Sequence, residues 1–151
     1  KGIFTSTSTN GHFLSKDNAL KTVESGLDKL IISLDETTQE TYESYRINGS
    51  LEKVVEGTRN IINAKKELNS KSPLVVFQFL VVKTNEHLIE EMKTLAADLG
   101  ADELRLKTAQ FYNFENGNEL IPDNIANGRS PWTSNIVNLL SRGVVINLTF
   151  E

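Results

Sequence analysis

Lys29-Leu30-Ile31-Ile32-Ser33-Leu34 is the stretch on which the fold turns. Three aliphatic residues follow one another with no polar residue between them, so both faces of an extended segment here would be apolar. A strand wetted on one side alternates, whereas one covered on both sides, as in a parallel sheet, does not. Leu74–Val82 repeats the pattern at greater length, interrupted only by Gln78. Between the two runs, Leu51, Val54, Val55, Thr58, Ile61, Ile62 and Leu68 recur at spacings of three and four, the helix period. Buried strand, helix, buried strand is the pattern of a parallel crossover.

The same rhythm extends in both directions. Ile3–Thr9 reads as a strand rich in β-branched residues that stops at the turn pair Asn10-Gly11. Ser15 or Asp17 then caps a helix carrying Leu20 and Val23, with Leu27 beyond it and Gly26 at the left-handed position expected after a helix. Thr37-Thr38-Gln39-Glu40 matches a capping box opening a short helix with Tyr42 and Tyr45, and Gly49-Ser50 opens the longer one. After the loop Asn69-Ser70-Lys71-Ser72-Pro73 and the strand Leu74–Val82, Thr84 or Asn85 caps a helix with Leu88, Met92, Leu95 and Leu99, closed by Gly100. Glu103–Lys107 follows as a strand.

Residues 1–110 are therefore expected to form an α/β unit, a partial (βα) barrel with mostly parallel strands, right-handed crossovers and helices on the outer face. The segment 111–130, rich in Asn and Gly, reads as a long loop. In 131–151, Ser130-Pro131 predicts a helix start, Gly143 its end and Val144–Phe150 a last strand.

Bulk properties narrow the function. A chain of 151 residues with 38% hydrophobic and 24% charged residues suits one ordinary globular domain. The net charge of −4 argues against a general nucleic-acid or anionic-membrane surface. No apolar run approaches the ~20 residues of a membrane span, and Lys1-Gly2-Ile3-Phe4 does not read as a signal peptide. There is no cysteine and there are two histidines, so neither a thiolate site nor a histidine metal cage is expected. A cytoplasmic location is compatible with this composition. Neither G-x-G-x-x-G nor a phosphate-binding loop occurs.

Ligands of parallel α/β folds bind beyond the carboxyl ends of the strands. Thr9, Asn10, Ser33, Asp35, Lys83, Asn85 and Lys107 fall at or just after such ends. Asn10 could meet an adenosine or carboxylate edge, although taken alone it reads better as a turn residue. Ser33 and Asp35 alternate onto one side and suit the two hydroxyls of a ribose, or equally mark a strand stop and a turn. Arg46 could clamp a carboxylate, while beside Glu43 it could form only a solvated ion pair. Gln78, in an apolar strand, needs partners, which a ligand or the core could supply. Lys107 could meet an anion or simply reach solvent. His87 reads as solvent-facing, and Trp132 as a packing anchor.

Ser8-Thr9-Asn10-Gly11, Ile32-Ser33-Leu34-Asp35, Tyr42-Glu43-Ser44-Tyr45-Arg46 and Val82-Lys83-Thr84-Asn85-Glu86-His87, in that order, resemble the middle of a radical S-adenosylmethionine (SAM) enzyme. The branch resembled is the SPASM-extended one, the Fe–S oxidoreductases of the anaerobic sulfatase-maturating and peptide-modifying type. The resemblance runs from the first strand through Lys107 and implies strands three to six of that family's barrel. It also implies SAM contacts at Ser33 and Arg46 and packing near the adenine at Leu106. Asn10, Asp35 and Gln78 are supporting candidates. In the family, the cysteines of a C-x-x-x-C-x-x-C motif hold a 4Fe–4S cluster. SAM bound to that cluster yields a 5′-deoxyadenosyl radical that modifies a peptide or protein.

A cysteine-free chain cannot ligate that cluster through thiolates. The expectation is a fragment: the SAM-binding part of a parent enzyme, inactive alone, with the 4Fe–4S cluster in the parent only. The chain begins almost inside a strand-like run, as if cut there. The alternative is a non-catalytic α/β domain that binds a partner. A third reading is an unrelated α/β enzyme using Lys83 or Lys107 on an anionic substrate. A barrel opened at Ile3–Thr9 would leave an unpaired edge, predicting self-association there or through Val144–Phe150.

Overall fold

The computed structural model describes residues 2–108 and 145–148. In chain order the elements are β1 (Ser6–Thr9), α1 (Lys16–Glu24), β2 (Lys29–Ser33), α2 (Gln39–Tyr45), α3 (Leu51–Glu67), β3 (Leu74–Val81), a 3₁₀ turn (Glu86–Leu88), α4 (Ile89–Leu99), β4 (Glu103–Thr108) and β5 (Val145–Leu148). The five strands make one sheet in the order β1-β2-β3-β4-β5, and every neighbouring pair is parallel. Helix α3 contacts both α1 and α4, so the three crossovers from β1 to β4 share one side of the sheet. Sequential strand order with helices on one side is the architecture of a partial (βα) barrel.

Local chemistry sets the helix limits. The Ser15 hydroxyl accepts the Asn18 N–H at the start of α1, and Ser50 does the same for Lys53 N–H at the start of α3. Gly26 and Gly100, at φ +74° and +78°, follow α1 and α4 in the left-handed conformation that glycine adopts without strain. Alternation along the strands sends Leu30, Ile32, Leu34, Val75, Phe77, Phe79, Val81, Leu104 and Leu106 into one core with Val54, Ile61, Met92 and Ala96 of the helices. Each such large side chain contributes about 1.5–3 kcal/mol by leaving water. Residues between them in sequence, including Ser33, Gln78 and Arg105, face away from the helices.

The structure departs from the sequence reading in several places. Strand β1 begins at Ser6, and Ile3 and Phe4 are 87% and 65% exposed. Pairing starts only where the Asp28 carboxylate accepts the Thr5 N–H at 2.7 Å and the Thr5 hydroxyl at 2.9 Å. The capping box does not form. Thr38 caps α2 through the Thr41 N–H, while Thr37 donates to Glu91 at 2.9 Å. Asn85 does not cap a helix with its side chain, because that amide is spent on the ends of β2 and β3, and a 3₁₀ turn precedes α4 instead. Leu68, placed on the apolar stripe of α3, is exposed, and Gly57 and Ala64 complete the buried face. The expected strand Val144–Phe150 is present as β5; the expected loop at 111–130 and helix at 131–142 lie outside the described residues.

Candidate functional site

The carboxyl ends of β1, β2 and β3 are tied together by a continuous arc of polar and aromatic side chains. It begins in the turn after β1. The Asn10 side-chain oxygen accepts the His12 N–H at 3.2 Å, and the Asn10 carbonyl lies 3.1 Å from His12 Nδ1. His12 Nε2 accepts the Ser50 N–H at 2.9 Å, so the ring carries its proton on Nδ1 in this arrangement. The imidazole stacks on Tyr42, with centroids 6.1 Å apart and planes at 17°. Arg46 lies over the other part of the arc, its guanidinium carbon 5.9 Å from the Tyr42 centroid.

Arg46 Nη2 donates to Asp35 Oδ2 at 2.5 Å, and Asp35 Oδ1 accepts the Leu80 N–H at 3.3 Å. Asn85, only 2% exposed, completes the arc. Its amide donates to the carbonyls of Asp35 at 3.0 Å and Leu80 at 2.9 Å, and its oxygen accepts the Val82 N–H at 2.8 Å. These bonds hold the strand ends at a fixed spacing, which is what a ligand-binding rim requires.

Two groups on this rim are electrostatically perturbed. Burial raises the Tyr42 phenol above its ordinary value; Arg46 opposes the shift and Asp35 adds to it. The Tyr42 hydroxyl is buried and, among the described residues, has no hydrogen-bond partner. Such an orphaned group is uncommon in native folds. Burial likewise raises the Glu36 carboxyl; the Thr41 hydrogen bond opposes it, Asp35 adds to it and His87 opposes it.

Below the rim, on the face turned away from the helices, the register aligns Ser33 with Gln78 and Gln78 with Arg105. Neighbouring strands are about 4.8 Å apart, so a hydroxyl, a carboxamide and a guanidinium form one row across β2, β3 and β4. Arg105 is paired with Glu103 two residues earlier on the same face, Nε and Nη2 reaching one carboxylate oxygen at 3.2 and 2.8 Å. Lys107 lies one step nearer the rim, in register with Leu80.

The six residues singled out as SAM contacts thus separate into four groups. Ser33 and Gln78 are neighbours on the row. Asp35 and Arg46 meet each other on the rim. Asn10 serves the turn before His12. Leu106 is 6% exposed and lies in the core on the helix side, in register with Phe79, so its side chain is on the opposite face from Ser33 and Gln78. Sequence reasoning gave no site role to His12, Glu103 and Arg105, and took Tyr42 only as part of the Tyr42–Arg46 segment. The signal for the two β4 residues was present: Glu103, Arg105 and Lys107 alternate with Leu104 and Leu106 at the strand period. His12 and Tyr42 carry no comparable sequence signal, since their stacking joins distant segments.

Among the described residues no helix is long and apolar enough to cross a membrane, and no group of three or more His, Asp or Glu side chains is arranged to hold a metal ion. No protein-family model matches this chain, and no curated protein shows significant similarity to it.

Proposed function

We propose that this chain is the SAM-binding part of a radical SAM Fe–S oxidoreductase acting on a peptide or protein in the cytoplasm. The observation that carries the reading is the row below the rim. Ser33 and Gln78, side by side on the face away from the helices, have no hydrogen-bond partners for their side chains among the described residues. Ser33 is the last residue of β2 and Gln78 lies beside it inside β3, just below the carboxyl edge of a parallel sheet, the end at which ligands of such folds bind. A hydroxyl and a carboxamide fit the hydroxyls and ring nitrogens of an adenosine. Arg46 would release or share Asp35 to meet the ligand, and Leu106 would contribute through its backbone, because its side chain belongs to the core.

In the resembled family the bound group supplies a 5′-deoxyadenosyl radical that abstracts a hydrogen atom. This chain has no cysteine to hold the cluster that the chemistry needs, so the active protein would supply those ligands from other residues. Reading the gene upstream of the codon for Lys1 tests the proposal. A C-x-x-x-C-x-x-C motif followed by a glycine-rich turn is expected. An in-frame start with no cysteine before Lys1 would overturn the enzyme reading.

A second reading, a non-catalytic domain that binds a partner, is favoured by one feature. Among the described residues strand β1 pairs only with β2, its residues Ser6–Ser8 are exposed, and Ile3 and Phe4 beside it present apolar surface. An unpaired strand edge of this kind is a template for another strand. Self-association through β1 is the expected consequence, and light scattering that finds only monomer at high concentration would count against it.

A further inference from the structure

The charged residues of β4 have a use that the SAM-contact residues do not absorb. Glu103 and Arg105 form an ion pair on the sheet face away from the helices, with side chains only 8% and 15% exposed. An ion pair so sheltered from water adds little net stability compared with apolar residues of similar volume. Its effect on geometry is clearer. Both Nε and Nη2 of Arg105 converge on the single oxygen Oε1 of Glu103, which fixes the guanidinium plane and leaves Nη1 without a hydrogen bond among the described residues. Lys107, two residues on and half-buried, has no ion pair among the described residues. With one carboxylate and two cations, this face of β4 has a surplus of one positive charge. Gln78 lies in register between Ser33 and Arg105 and has no side-chain hydrogen bond among the described residues; its two N–H donors and two oxygen lone pairs can meet an adenosine on the Ser33 side and a peptide unit on the Arg105 side.

We propose that Arg105 and Lys107 bind a carboxylate of the substrate, and that Gln78 binds the amide beside it, so that the substrate is a peptide segment carrying an acidic residue. The inference rests on the preceding reading for the ligand's being a peptide, and it adds the substrate's chemical class. SAM also carries a carboxylate, but its sulfonium and ammonium groups make it a net cation. A face with surplus positive charge therefore favours an acidic peptide over SAM.

The test is to titrate the isotopically labelled 151-residue chain with acetyl-Gly-Glu-Gly-amide and with acetyl-Gly-Gln-Gly-amide, following the Arg105 side-chain N–H and the backbone amides of Gln78, Arg105 and Lys107. The Glu peptide is expected to bind about tenfold more tightly than the Gln peptide, the range of one charge-assisted contact, with shifts centred on those residues. Lys107→Gln, at a half-buried position, should remove most of that preference. The double variant Glu103→Gln/Arg105→Gln, which replaces the pair without leaving a lone buried charge, should remove the rest. Equal binding of the two peptides, absence of binding by either, or full preference retained in Lys107→Gln would each overturn the proposal. A separate titration with SAM distinguishes the two readings. SAM shifts at Ser33, Gln78 and Arg46 but not at Arg105 and Lys107 support both readings, whereas shifts at Arg105 and Lys107 with SAM but not with the Glu peptide overturn the peptide assignment. Failure of SAM to bind while the Glu peptide binds as described would count against the SAM reading only.

Discussion

Replacing Gly57 with alanine sets helix propensity against tertiary packing, and the structure says which wins. Gly57 lies in the interior of α3. Alanine is favoured over glycine at such a position by about 1 kcal/mol, so propensity alone makes Gly57→Ala stabilising. A Cβ at Gly57 would, however, lie 2.5 Å from the Gly11 carbonyl oxygen and 3.0 Å from Leu14 Cβ. Neither neighbour is the loose end of a side chain. The Gly11 carbonyl accepts the Leu14 N–H across the turn at 3.4 Å, and Gly11 itself is held at φ +80° against Val54. Relief requires the turn after β1 to back away from α3, and overpacking of this kind costs about 1–3 kcal/mol. A steric cost at the upper end of that range, less the propensity gain, leaves a net loss of about 1–2 kcal/mol. With a urea m-value of about 2 kcal/mol/M, the unfolding midpoint should fall by about 0.5–1 M with m unchanged. Because the displaced turn carries Asn10 and His12, the same variant should shift their amide resonances and that of Ser50, which His12 accepts. A midpoint equal to or above the parent's would refute the reasoning and show that the turn yields freely.

Three further outcomes are expected. Asn85→Ala removes the side chain that accepts the Val82 N–H and donates to two carbonyls; stability should fall by about 1–3 kcal/mol in chemical denaturation, with amide exchange quickening at the ends of β2 and β3. Asp102→Ala removes the acceptor of the Lys65 ammonium at 2.6 Å and the Val75 N–H at 2.7 Å at the opposite, amino end of the strands; it should cost stability by a similar 1–3 kcal/mol, roughly, while leaving any ligand titration at Ser33 and Gln78 unchanged. For Glu36, burial raises the folded-state carboxyl above the ordinary 4.5, so the folded protein holds the proton more strongly than the unfolded chain. Stability should therefore fall as pH rises from about 4.5 to the raised value, then level off, and Glu36→Gln should flatten the profile over that window in pH-dependent denaturation.

Much of this architecture was legible because it depends on short-range periodicity. The continuous apolar runs Leu30-Ile31-Ile32 and Leu74–Phe77 announced buried parallel strands, and the three-and-four spacing through Val54, Thr58 and Ile61 announced the crossover helix. Ser15, Ser50, Gly26 and Gly100 marked ends because capping and left-handed backbone are properties of a few adjacent residues. Where two local solutions competed, the sequence could not choose between them. Thr37 and Thr38 both suit a cap, and the choice fell to Thr38 because Glu91 of α4 is within reach of Thr37. Asn85 resembled a cap until β2 and β3 supplied three backbone groups for its amide.

The candidate site was legible as a set of strand ends and illegible as a surface. Sequence placed Ser33 and Asp35 at a strand end and Gln78 inside an apolar strand, but which face each one takes follows from strand register. Register set Ser33 beside Gln78 and Arg105, and set Leu106 among the core residues on the other side. What the sequence by itself determined was the succession of elements and the apolar faces that bind them together, because those follow from interactions between residues a turn or a pleat apart. Tertiary structure alone decided that Arg46 meets Asp35, that His12 stacks on Tyr42 while accepting the Ser50 N–H, and that Arg105 faces the same side as Ser33. Each of those contacts joins segments whose separation in the chain carries no periodic signal, and only the close packing of the folded sheet and its helices brings them together.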